Sequence, residues 1–276
     1  MDVDEKYNLL TSILSSFDKI VLAYSGGVDS TFLLKAAVDA LGANNVLPCI
    51  GVSGSLAQSQ FDIAMKTALQ IGIEVRQVRL DELYDEKYSA NNADRCFHCK
   101  SHLYSSLRKI ADSEHIETIL CGSNFDDQSD FRPGNKAADV FKVRAPLMEA
   151  ELTKSDIRHL SRMLGLATAE MPASPCLASR IAYGTPVTEE KLKQVELAED
   201  YLRMFGLKNF RVRHHDTIAR IEVTDSDFDT IVTNRKHISD KLGQIGFTFV
   251  SLDLAGFKSG ALNRTLTDEE KSRAAD

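Results

Sequence analysis

The sequence predicts an α/β protein in which a parallel sheet carries helices on both faces, followed by a smaller α+β domain. Two observations predict this. Through the first half, short apolar runs rich in β-branched residues alternate with amphipathic stretches of helical period, the signature of βαβ units. Near residue 171 the rhythm breaks at MPASPCLASRIAYGTPVT, where three prolines and a glycine stop any long helix. The expected organisation is therefore a first domain over 1–170, a linker over 171–184 and a second domain over 185–276.

Each element follows from its pattern. KIVLAY (19–24), NVLPCIGV (45–52), IEVRQVRL (73–80) and ETILCG (117–122) read as buried strands. TFLLKAAVDALG, LAQSQFDIAMKTALQIG, HCKSHLYSSLRKIADSEH and TKSDIRHLSRMLGL read as the helices between and after them. Beyond the linker the pattern predicts a helix over 188–205, strands over 209–214 and 217–223, a helix over 225–243 and a strand over 247–253. The strands FRVRHH and IARIEV are expected to pair antiparallel.

Composition bounds the function. The chain has 276 residues, 43% hydrophobic and 26% charged, and no apolar run approaches the ~18–20 residues of a membrane span. Its start, MDVDEKYNLL, is acidic and lacks the basic, apolar and small-residue sections of a secretory signal, so a cytoplasmic location is expected. Five cysteines, an odd number in a chain of this size, favour thiols that ligate or react over a disulfide frame. The net charge of −7 disfavours extended nucleic-acid binding, and any anionic ligand must be met by a local cluster of donors.

The first such cluster is SGGVDS, residues 25–30, between the first strand and the first βαβ helix. A glycine turn feeding a helix aims free N–H groups and the positive end of the helix dipole at one point, which suits a phosphate. Ser25 and Ser30 add hydroxyls, and Asp29 or Ser30 also suits a plain helix N-cap. The string lacks the lysine of the GxxxxGK[ST] loop and resembles the SGGxDS pyrophosphatase loop of the N-type ATP pyrophosphatases, which cut ATP to AMP and pyrophosphate. That resemblance implies that Ser25, Gly26, Gly27, Val28, Asp29 and Ser30 hold the β and γ phosphates, with Asp29 working with Mg²⁺. Ligands of such sheets bind beyond the carboxyl ends of strands. Ser53, after strand two, and Asn124 and Arg132, in GSNFDDQSDFRPG after strand four, are therefore further ATP-site candidates.

The second cluster is sulfur. Cys49 and Cys121 fall inside expected core strands and read as small hydrophobes. Cys96 and Cys99 form a CxxC at the start of a helix, beside Arg95, His98 and Lys100, where thiolate is favoured. Cys176 lies in the linker near Arg180. Three thiolates fit a four-iron four-sulfur cluster with one open iron, a catalytic cysteine without a cluster, or zinc, while a CxxC redox pair leaves Cys176 unexplained.

Taken together, SGGVDS, RCFHCKSHLY, SPCLASRIAYGT, FRVRHH and SLDLAGFKSGALN make nearly the whole chain resemble the LarE family. These are ATP-dependent sulfur transferases of nickel-pincer nucleotide biosynthesis. The resemblance implies a PP-loop fold of the adenine nucleotide alpha hydrolase type, which is Rossmann-like. It also implies pyridinium-3,5-biscarboxylic acid mononucleotide as substrate, adenylation of a ring carboxylate, and replacement of oxygen by sulfur. One branch of the family sacrifices the linker cysteine and leaves dehydroalanine; the other adds a CxxC and carries a cluster. Cys96, Cys99 and Cys176 match the second, which implies a 4Fe-4S cluster, ATP/Mg²⁺, a sulfide donor and a homo-oligomer, with a hexamer as the candidate. Arg211 and Arg213 alternate on one strand and match the family's phosphate pocket, as do Ser179, Arg180 and Glu199. Without the resemblance, the arginine pair reads as an exposed strand face. His214, His215 and His237 receive no role. The rivals are a tRNA thiolase, which would call for a second CxxC or a basic face, and an amide-forming synthetase of the NAD or GMP kind, which would not call for Cys176.

Overall fold

The computed structural model describes residues 1–128, 134–172, 174–258, 260–267 and 269–270, so Arg132 lies outside the described residues. The backbone divides into two compact units. The first takes Met1–Glu82 and Cys96–Ser174; the second takes Leu83–Arg95 and the described residues from Pro175 onward. No shift in composition marks residues 83–95 as part of the second unit.

In the first unit, α1 (Val3–Ser15) starts at a capping box in which Asp2 accepts from the Glu5 N–H while the Glu5 carboxylate accepts from the Asp2 N–H. It is not among the expected elements, although Asp2 and Glu5 carry the capping-box spacing. Four strands, β1 (Ile20–Ala23), β2 (Val46–Val52), β3 (Arg76–Arg79) and β4 (Thr118–Cys121), alternate with α2 (Val28–Leu41), α3 (Gln58–Ile71) and α5 (Arg95–Ser113). The short α4 (Glu86–Ser89) precedes α5 in sequence but belongs to the second unit, and α6 (Gly134–Val140), α7 (Pro146–Glu149) and α8 (Lys154–Met163) follow β4. The strands pair in parallel in the order β3-β2-β1-β4.

That order decides where chemistry can sit. The chain builds β1, β2 and β3 outward in one direction and then crosses to lay β4 on the far side of β1, so the crevice opens between the loops after β1 and β4. Alternation along β1 sends Ile20 and Leu22 into one core, with Phe32, Leu34 and Leu160, and Val21 into the other, with Tyr104, Leu107 and Ile119. Cys49 and Cys121 are buried in the second core, and burial pushes the Cys49 thiol up to about 11, which keeps it protonated.

In the second unit, α9 (Glu189–Arg203) packs on a three-stranded sheet. β5 (Phe210–His215) pairs antiparallel with β6 (Ile218–Val223), and β7 (Phe249–Leu252) adds in parallel as an edge. The expected helix over 225–243 is instead a short 3-10 turn followed by α10 (Phe228–Thr233) and α11 (Arg235–Ile245), broken at Asn234. There the Asn234 side chain donates to the Thr230 carbonyl at 2.8 Å, competing with the helix ladder. Among the described residues no helix is long and apolar enough to cross a membrane.

Candidate active site

The loop after β1 has the form its residues predict. Gly26 sits at φ +71°, and a Cβ there would lie 2.4 Å from Ala64 Cβ and 2.7 Å from Ala64 Cα, so only glycine fits. Gly27, rather than Asp29 or Ser30, is the N-cap of α2, and no side chain caps the first turn. The first-turn N–H groups, which the helix itself leaves unpaired, therefore lack a side-chain substitute. Ser25 and Ser30 face each other with hydroxyls 2.9 Å apart, and the Ser30 Oγ also accepts from the Ser25 N–H at 3.2 Å. Gly122, directly after β4, lies against this turn: a Cβ on it would come within 3.0 Å of Ser30 N and Cα.

Lys154 is the residue that sequence reasoning missed. Its Nζ donates to both Asp29 oxygens at 2.8 and 2.7 Å, from the first turn of α8. Its backbone N–H is held by Asp126 Oδ2 at 2.8 Å, which ties α8 to the turn after β4. The SGGVDS loop has no cation of its own, and Lys154 brings one to it from 125 residues away. Asn124 is buried and shapes the same turn: its N–H donates to Asp127 Oδ2 and its side-chain oxygen accepts from the Asp126 N–H. Ser53 accepts from the Ser55 N–H in the turn after β2.

Cys96 and Cys99 lie on the first turn of α5 and are half-buried, and Cys176, also half-buried, precedes a 3-10 turn over Leu177–Arg180. None of the five cysteines is in a disulfide. Burial raises the Tyr104 phenol far above its ordinary value, with Cys121 and then Cys99 adding to the rise, so the second thiol of the CxxC lies within electrostatic reach of the core. Among the described residues, no group of three or more His, Cys, Asp or Glu side chains is gathered as a metal centre.

The second unit holds the predicted substrate residues in a buried network of charge. Arg180 meets Glu199 side-on, Nε to Oε1 at 2.9 Å and Nη2 to Oε2 at 3.0 Å, with the two side chains 3% and 2% exposed. Arg180 Nη1 also donates to the carbonyls of Pro175 and Cys176 and to Ser179 Oγ. Arg213 donates through Nε and Nη2 to Glu222 Oε2 and through Nη1 to the Ser179 carbonyl. Arg211 lies over the Phe257 ring, 5.1 Å from its centroid, and burial followed by the repulsion of Arg180 and Arg213 lowers its guanidinium to about 10. β5 is therefore no exposed face: both arginines are buried, with Glu222 opposite Arg211 and Arg220 opposite Arg213 in the register. His214 is buried against Phe247 and bonded to Gln194, and burial, then Lys191, depresses its imidazole to about 4. His215 and His237 are exposed.

Known proteins match along the length of the chain. The family described as NAD synthase matches residues 6–115, which span the glycine loop and the CxxC. An uncharacterized protein of Synechocystis sp. is 39% identical over 267 residues, covering 96% of this chain and 99% of its own. The pyridinium-3,5-bisthiocarboxylic acid mononucleotide synthase of Lactiplantibacillus plantarum is 38% identical over 258 residues, covering 94% of each. An uncharacterized protein of Methanocaldococcus jannaschii is 26% identical over 245 residues, covering 87% of this chain and 91% of its own.

Proposed function

The chain belongs to the family of the Lactiplantibacillus plantarum synthase, the LarE family of the resemblance, and on that premise we propose that it is an ATP-dependent sulfur transferase acting on a pyridinium biscarboxylate mononucleotide. The observation that carries this reading is the glycine loop with its uncapped helix terminus and its Asp29–Lys154 pair.

In the first step a ring carboxylate attacks the α-phosphorus of ATP, the bond between the α and β phosphates breaks, and pyrophosphate leaves. The loop N–H groups of residues 26–30, with the hydroxyls of Ser25 and Ser30, receive the β and γ phosphates, as Ser53 and Asn124 shape the neighbouring turns. Asp29 would hold the Mg²⁺ that accompanies ATP, which would neutralise phosphate charge, and the Lys154 ammonium paired with Asp29 would lie ready for the departing pyrophosphate. In the second step sulfur attacks the activated acyl carbon and AMP leaves with the oxygen, giving the thiocarboxylate. We assign the mononucleotide phosphate to Arg211 and the positioning of its pocket to Ser179, Arg180, Arg213 and Glu199.

The finer proposal is that Cys96, Cys99 and Cys176 bind a 4Fe-4S cluster, supported by the CxxC spacing and the linker cysteine. If bound, such a cluster would supply a place to deliver sulfide to the activated carboxyl carbon. We extend the proposal to a cytoplasmic homo-oligomer fed by an external sulfide donor, without a nucleic-acid partner.

The test is incubation with the pyridinium substrate, ATP and Mg²⁺, followed by mass spectrometry of small molecule and protein. The expected products are AMP, pyrophosphate and a thiocarboxylate; absence of substrate-dependent AMP overturns the reading. Anaerobically prepared protein is expected to contain about four irons per chain. Colourless protein whose Cys176 becomes dehydroalanine after turnover would remove the cluster and keep the transferase.

A further inference from the structure

Within the second unit, the loop that carries Cys176 has almost no regular structure, yet much of it is buried. A buried irregular segment must find donors for its carbonyls outside helix or sheet. Here four side chains supply them. Arg180 serves the carbonyls of Pro175 and Cys176, Arg213 that of Ser179, Arg95 that of Ala178, and Asn91 those of Ile181, Ala182 and Thr185.

Asn91 and Arg95 stand apart, because they lie more than eighty positions earlier in the chain, and Arg95, although it directly precedes Cys96, turns its guanidinium to the Ala178 carbonyl of this loop. Asn91 is fully buried at φ +58°, a conformation that asparagine tolerates better than other side chains. Its Nδ2 donates to Ala182 and Thr185 at 2.8 Å each and to Ile181 at 3.4 Å. Its Oδ1 accepts from Arg95 Nη1 at 2.5 Å, and its own carbonyl accepts from the Gly184 N–H at 3.0 Å. Arg95 is buried, reaches the Ala178 carbonyl with the same Nη1 at 2.9 Å, and has its guanidinium 5.7 Å from the Tyr183 ring centroid. The Val187 N–H closes the strap on the Ser89 carbonyl at 2.8 Å.

We propose that Asn91 and Arg95 are positioning residues for sulfur transfer: they clamp the 178–187 segment and thereby fix the loop that presents the Cys176 thiol. Only an amide on a short stem does what Asn91 does, donating to carbonyls on one side while accepting from a guanidinium on the other. Aspartate there would turn a carboxylate toward three carbonyl oxygens. The clamp spends no group on ATP or on the ring carboxylate, so it bears on the second step and leaves adenylation alone. This inference rests on the transferase reading given above.

The test measures AMP and thiocarboxylate together in the full-length protein. In Asn91→Gly, which keeps the backbone conformation and removes the amide, and in Arg95→Lys, AMP formation is expected within about twofold of the parent. Thiocarboxylate per AMP is expected to fall tenfold or more. A residue needed only for folding would lower both products in step, and that result, or an unchanged ratio, overturns the proposal. Hydrogen exchange on the unmutated protein gives a second reading that needs no variant: the Gly184 and Val187 amides are expected to exchange at least a hundredfold more slowly than in an unstructured peptide, and free exchange refutes the clamp. A parent protein that forms no thiocarboxylate would sink the transferase reading, while amide exchange would still decide the clamp.

Discussion

Removing the Glu199 carboxylate should cost the second unit much of its stability. Glu199 Oε1 and Oε2 each take one arm of Arg180, and Oε1 also accepts from the Val212 N–H at 3.1 Å. Glu199→Ala leaves a guanidinium buried without its counter-ion, a loss of about 3–5 kcal/mol. It also leaves a strand N–H unpaired, about 1 kcal/mol more. With a urea dependence of about 1–3 kcal/mol per molar, the midpoint of the ellipticity transition falls by more than about 1 M. Arg180→Met alone costs a similar amount, because buried Glu199 then keeps only the Val212 N–H and the half-exposed Arg203, 3.8 Å away, and the Pro175 and Cys176 carbonyls lose their donor. The double variant Arg180→Met with Glu199→Ala leaves neither member of the pair charged and alone, so its loss falls short of the sum of the two single losses by about 3 kcal/mol. A Glu199→Ala loss below about 1 kcal/mol, or a cycle additive within about 0.5 kcal/mol, would refute the reasoning and return both residues to the ligand alone.

Three further outcomes follow from the geometry. Gly26→Ala drives a methyl into the Ala64 backbone and should cut AMP formation more than a hundredfold; a variant that keeps a tenth of the parent rate contradicts the close approach. Lys154→Met should slow AMP formation about 10–100-fold, the worth of one charge-assisted hydrogen bond of about 1.5–3 kcal/mol, while lowering the unfolding free energy by less than about 1 kcal/mol because the pair is partly exposed. His214 is held neutral, with a folded value of about 4 against an ordinary 6.5, so its contribution is complete above pH 6.5 and is lost as pH falls toward 4. Between pH 7.5 and 5 the parent should lose about 2 kcal/mol more than His214→Gln in urea titrations, and equal losses would exclude His214 as the cause.

How much was legible in the sequence depended on how local the signal was. Strands β1, β2 and β4 announce themselves as apolar runs because a strand covered on both faces has no polar side to confuse the pattern, whereas β3, expected to be buried, exposes Arg76, Gln77 and Arg79 and buries only Val78. The glycine loop is legible because six consecutive residues carry its whole geometry. The split at Asn234 is harder: the apolar pattern continues across it, and only a side-chain bond to a carbonyl four residues back interrupts it. Burial of Arg211 and Arg213 escapes the sequence altogether, since a strand of arginines and histidines reads as exposed until Glu222 and Glu199 are brought in from other elements to match the charge. Lys154 and Asn91 are invisible for the same reason. Each looks like an ordinary surface residue, and its partners lie on the order of a hundred positions away.

The ammonium of Lys154 resting on Asp29 has a practical consequence. An uncompensated acid at the head of that glycine loop would repel a triphosphate, and the Lys154 ammonium offsets the Asp29 charge within the fold itself. Stripping divalent ions with a chelator should therefore leave the resting fold as sturdy as before, and the metal's worth should register only once triphosphate is present.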